Sequence, residues 1–162
     1  MQQFWKQFDR ALSGTIILIV AALAMAGALQ VFSRYVLGSA FSWTEELSRF
    51  LLIWLVVIAA AAEVHRGGHI CVTMLTDKFS LASRRRLDQA SFVLILVFAM
   101  VLAVFGYQLS MRTMAQSATT IPVSIGAVYL ALPIGGVLMA INALRSLVGG
   151  REHPDGSRQE VI

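Results

Sequence analysis

The chain has 162 residues, 57% of them hydrophobic and only 14% charged, with a mean hydropathy of +0.73. A soluble domain carries about 25% charged residues, so this composition excludes a water-soluble surface, and the length favours one domain. The net charge of +4 comes from basic residues placed between apolar runs. They read as topology determinants and contacts to anionic lipid, not as a nucleic-acid site.

Four apolar runs follow one another: residues 11–31, 47–62, 90–109 and 121–144. A membrane-spanning helix needs about 20 apolar residues. The first, third and fourth runs meet this directly. The second is long enough if its helix extends back through Glu45 and Glu46. The fold class is therefore an all-α integral membrane protein of four transmembrane helices. The first run begins after Lys6 and Arg10 and contains Ala24-Met25-Ala26, which echoes a signal peptide. It exceeds the about 7–15 residues of such a core, and a retained span is expected. A short amphipathic segment precedes it.

Basic residues set the orientation. Lys6 and Arg10, then Arg66, Lys78, Arg84, Arg85 and Arg86, then Arg145, Arg151 and Arg158 all fall on one side. Arg34, Arg49 and Arg112 fall on the other. Ten against three puts both termini and the loop between helices two and three in the cytoplasm. Tyr35, Trp43 and Tyr107 then mark the outer interface and Trp5 the inner one. The membrane domain is expected over residues 1–148, with a polar, disordered tail over 149–162.

Helix ends are legible. Ser42 with Glu45 predicts a capping box for helix two, and Gly67-Gly68 predicts its end. Ser80 or Ser83 predicts the start of helix three. Pro122 suits the start of helix four, and Pro133 predicts a kink inside it. Small residues at Ala22 and Ala26, Ala24 and Ala28, 59–62 and Gly135-Gly136 predict close helix contacts.

The sharpest polar cluster is Phe41-Ser42-Trp43-Thr44-Glu45-Glu46-Leu47-Ser48-Arg49. Glu45 and Glu46 stand four and three residues before Arg49, so both acids are expected to reach it. The plain reading is a self-neutralising helix end, and the functional one is a docking site for a partner or a lipid headgroup. Arg34 is the nearest cation in sequence to join this network. At the other end of helix two, His65 and His69 have a metal-compatible spacing, but the glycine pair between them argues for interfacial polar residues. Cys71 is the only cysteine, which excludes an internal disulfide and a cysteine metal cluster. No catalytic triad or phosphate loop is present, no cofactor is implied, and the first, third and fourth runs are uncharged. A pump or an enzyme is disfavoured.

These residues in this order resemble a known family. The basic start, Arg34-Tyr35-Val36-Leu37-Gly38, Trp43-Thr44-Glu45-Glu46 with Arg49 and Trp54, and Arg66-Gly67-Gly68-His69-Ile70 are similar to the small, DctQ-like permease subunit of tripartite ATP-independent periplasmic (TRAP) transporters. The likeness covers about residues 1–148, its second half by hydropathy alone. It implies a multi-pass protein of the bacterial inner membrane that is not an enzyme. It also implies a large permease subunit that holds the sodium and substrate sites, and a periplasmic substrate-binding protein that delivers an organic acid. The small subunit would then be a scaffold. Candidate partner or lipid contacts are Arg34, Trp43, Glu45, Glu46, Arg49, Trp54, His69, Arg84, Arg85 and Arg86, with membrane phospholipids as further partners. The alternative is a self-sufficient small exporter working as a homodimer.

Overall fold

The computed structural model describes residues 2–39, 41–66 and 81–149. They form helices α1 (Gln2–Tyr35), α2 (Ser42–Arg66), α3 (Leu81–Thr113), α4 (Ile125–Tyr129) and α5 (Ala131–Gly149). Four segments are long and apolar enough to cross a membrane: Trp5–Tyr35, Ser42–Val64, Gln89–Thr113 and Ile125–Leu147. The four expected spans are all present, and the second does extend back through both glutamates.

At 1.5 Å per residue the 34 residues of α1 reach about 51 Å, well beyond a hydrocarbon core of about 30 Å. The amphipathic N-terminal segment is continuous with the first span. No proline interrupts it, and the hydroxyls of Ser13 and Thr15 donate back to the carbonyls of Asp9 (2.8 Å) and Ala11 (3.0 Å). Past Tyr35 the chain turns through Gly38, whose φ of +67° glycine adopts without a side-chain clash.

Helix α2 starts differently from the expected capping box. Ser42 is already its first helical residue. The hydroxyl at the entry is that of Thr44, which donates to the Phe41 carbonyl at 2.7 Å, and Glu45 turns to Arg49. Thr44 is fully buried, so its hydroxyl must find a partner locally. The expected end at Gly67-Gly68, the loop beyond it, Ser80 and the tail from Gly150 lie outside the described residues.

The fourth span is divided. Pro122 does not start a helix, because the amide of Ile121 bonds a distant carboxylate and that of Val123 bonds the Ile121 carbonyl. The helix starts at Ile125 and breaks at Leu130. Pro133 lacks the N–H that would reach the Tyr129 carbonyl, which places the break one turn ahead of the proline. Hydrogen bonds from Leu130 to Gly126 and from Ile134 to Leu130 carry the chain across it.

The helices lie in a row. Helix α1 packs on α2, α2 on α5, and α5 on α3. Alternate helices run in opposite directions through the chain, so the start of α1 and the end of α5 share one end of the molecule. We call this the terminal end and the opposite one the turn end. Glycines set the central position of α5. A Cβ on Gly135 would meet Val57 Cγ1 of α2 at 1.8 Å, and one on Gly136 would meet the Ala99 carbonyl of α3 at 2.7 Å. Two adjacent glycines thus bring two different helices against α5, as small residues do in membranes. One seam joins Ala61 and Val64 to Ala99, Met139 and Ala143. The other joins Leu12 and Ile19 to Ile58 and Ala62, with Trp54 packed beside them. The edge helices keep wide apolar faces open, for example at Leu18 (71% exposed) and Leu94 (71%).

Candidate functional site

The polar cluster at the start of α2 does not assemble as one network. Glu45 pairs with Arg49 at 3.3 Å, with both side chains about two-thirds exposed, at 66% and 68%. Glu46 points elsewhere. Its Oε1 accepts the Thr119 N–H at 2.9 Å, and its Oε2 accepts the N–H groups of Thr120 (2.7 Å) and Ile121 (3.2 Å). The Thr120 hydroxyl also donates to Oε2. The expectation that both acids face Arg49 is therefore corrected. Three consecutive amides make a concave anion cradle, and a carboxylate, which only accepts, satisfies them better than a single guanidinium could satisfy it.

The captured loop is closed on itself. The Ala118 N–H bonds the Val123 carbonyl at 2.9 Å and the Ile125 N–H bonds the Gln116 carbonyl at 2.9 Å, on either side of a bridge between Ser117 and Ser124. The Ser124 hydroxyl donates to the Met114 carbonyl at 2.7 Å. Beneath it the buried Ser110 hydroxyl donates to the Gly126 carbonyl at 2.7 Å. A Cβ on Gly126 would meet the Ser110 carbonyl at 2.4 Å, so glycine is required for α4 to sit on α3. Glu46 ties this loop to α2.

The remaining candidates separate. Trp43 stacks on Phe41 with ring centroids 6.3 Å apart and is 39% exposed. Trp54 is packed in the seam between α1 and α2 and is not a free surface residue. Arg34 ends α1 and is exposed. Among the described residues no hydrogen bond or ion pair joins it to the Glu45–Arg49 pair, which corrects the expected link. His69 lies outside the described residues. Arg84, Arg85 and Arg86 occupy the first turns of α3, where only the backbone is described.

Two constellations were missed in the sequence. At the terminal end, Arg145 Nη1 lies 3.0 Å from both oxygens of Asp9, and its guanidinium carbon sits 4.5 Å from the centre of the Trp5 ring. This clasp joins the two ends of the described chain. An acid at the start of the first span and a base at the end of the fourth were the available signal. Deeper in the row, Asn142 Nδ2 donates to the Ala61 carbonyl at 2.8 Å. Its Oδ1 is buried with no hydrogen-bond partner among the described residues. A lone amide in an apolar run was the clue there. No group of three or more metal-ligating side chains occurs among the described residues.

Fold and surface together define a multi-pass helical membrane protein whose polar groups join helices and loops. The model of the family described as tripartite ATP-independent periplasmic transporters, DctQ component, matches residues 20–152. The chain belongs to this family. It is thereby a transporter component of the inner membrane and not an enzyme. It is similar to the sialic acid TRAP transporter small permease protein SiaQ of Vibrio cholerae, 29% identical over 80% of this chain and 75% of the relative. The C4-dicarboxylate TRAP transporter small permease protein DctQ of Rhodobacter capsulatus is 26% identical over 66% of this chain and 48% of the relative. The sialic acid TRAP transporter permease protein SiaT of Haemophilus influenzae is 22% identical over 89% of this chain but only 23% of the relative.

The two glutamates should behave differently. Glu46→Ala is expected to speed hydrogen exchange at the amides of residues 119–121 by about tenfold or more, as local opening becomes easier. Glu45→Ala and Arg49→Ala should each cost at most about 1 kcal/mol of stability, as an exposed pair does, and leave that exchange unchanged. Equal exchange in all three variants would show that the loop holds itself.

Proposed function

We propose that this chain is the small, non-transporting membrane subunit of a sodium-coupled transporter for an organic acid, and that it forms a static frame for a large permease subunit. One observation carries the reading. The buried polar side chains among the described residues are Ser33, Thr44, Ser110, Asn142 and Ser146, and they are spread over four helices. They do not converge on a pocket that could hold a carboxylate or a cation. A transport site needs convergent polar groups inside an otherwise apolar span. The row instead leaves broad apolar faces, which suit contact with another membrane protein.

The relatives support the finer parts. One is named for sialic acid and one for C4-dicarboxylates, both organic acids. The permease protein SiaT matches this chain over less than a quarter of its own length, as expected if a small-subunit portion is joined there to a larger permease. A periplasmic binding protein would deliver the substrate. Arg34, Trp43, Glu45 and Arg49 are the exposed candidates for contact with a partner or a lipid headgroup, while Glu46 and Trp54 are committed inside the chain. Phospholipid contacts are assigned to Arg84, Arg85 and Arg86. The self-sufficient exporter is disfavoured by the same scatter of polar groups.

Two experiments test this reading. The chain is expected to co-purify with a much larger membrane protein, and sodium-driven uptake in liposomes should require both. Uptake by this chain alone would overturn the frame assignment. For orientation, the basic residues favour cytoplasmic termini, so a reporter active only after export should be silent when fused after Ile162. Activity there would reverse or break the four-span arrangement.

A further inference from the structure

Towards the turn end, α1 and α2 part. The gap between them is a cleft of about 610 Å³ lined by Ala22, Met25, Ala26, Ala28, Leu29 and Phe32 of α1 and by Trp43 and Leu47 of α2. Its lining residues are all apolar. Towards the terminal end the two helices close, with Leu12, Ile16 and Ile19 packed against Trp54, Leu55 and Ile58. The cleft therefore occupies one half of the membrane depth. From Ala22 to Phe32 the helix rises about 15 Å, which is half of a hydrocarbon core of about 30 Å.

We propose that this cleft holds one acyl chain of a phospholipid from the leaflet at the turn end. The length fits one chain of one leaflet. The groove ends near Ala22, where the seam between α1 and α2 closes, so its depth matches one leaflet and not both. The end of the cleft agrees as well. Trp43 and Phe41 stack there, in the depth zone where aromatic rings meet headgroups. Arg34, two residues beyond Phe32, is exposed at the same end and has no ion-pair partner among the described residues, a free cation at the depth of a lipid phosphate. This inference needs only that the chain spans a membrane and does not rest on the identity of the large subunit.

The test is native mass spectrometry of the full chain and of its complex with the large subunit, both released from nanodiscs of phosphatidylethanolamine and phosphatidylglycerol. One phospholipid per copy should persist in both. Filling the cleft with Ala22→Leu and Ala28→Leu should lower its occupancy by about fivefold or more, since affinity follows buried acyl length. Arg34→Ala should lower it less. A second measurement uses the unaltered cleft. In nanodiscs of phospholipid brominated near the carbonyl end of the acyl chain, the part of the emission that Trp43→Phe removes should be strongly quenched. Unchanged lipid retention in the filled variant, or an unquenched Trp43, would overturn the proposal. Lipid held by the chain alone but absent from the complex would also overturn it, because a partner would then cover the cleft. That outcome leaves the frame assignment standing, whereas failure to co-purify counts against the frame and not against the lipid.

Discussion

Everything in the row depends on how closely α5 can approach two helices at once. Inside a membrane, helices gain little from hiding apolar side chains, because lipid is as apolar as they are. Association then rests on close packing and on the few hydrogen bonds that cross between helices. Gly135 and Gly136 supply the first by admitting Val57 on one side and the Ala99 backbone on the other. Asn142 supplies one of the second by donating to the Ala61 carbonyl. With α5 seated between α2 and α3, α1 has only α2 left as a long seam. Its start is held to the end of α5 by Asp9 and Arg145.

At the turn end the problem is different. The connection from α3 to α4 must reverse the chain near the membrane surface, where free amides are costly to leave unpaired. Three of them are gathered on Glu46, a residue some 73 positions away from the first. One carboxylate thus fixes the turn-end surface of the molecule, while its neighbour Glu45 remains outside with Arg49. Of two adjacent acids, one builds the chain and one is available to meet a partner.

Much of this was legible in the sequence. Run lengths located the four spans, helical spacing located the Glu45–Arg49 pair, and the glycine pair marked a close contact. Local patterns carry such information because their partners lie within one or two turns. The Glu46 cradle and the Asp9–Arg145 clasp join residues far apart in the chain, and nothing in their neighbourhoods names the other half. Pro122 misled for a related reason. Proline is favoured at the first helical position, but the loop around Pro122 is committed to bonds with Glu46 and with itself. The order of helices in the row was not legible either, since every span has small residues on more than one face.

The proposed role as a static frame requires that the chain itself does not move during transport. A Cβ on Gly135 would lie 3.3 Å from Val57 Cβ, close to the about 3.5–4.5 Å of a disulfide. The pair Val57→Cys and Gly135→Cys, in a chain whose Cys71 is replaced by serine, would therefore lock α2 to α5. The decisive measurement is sodium-driven uptake by the intact complex carrying this pair, oxidised and then reduced. A static frame predicts the same rate in both states. Uptake that stops on oxidation and returns on reduction would show that the seam between α2 and α5 works during the cycle, and would contradict the account.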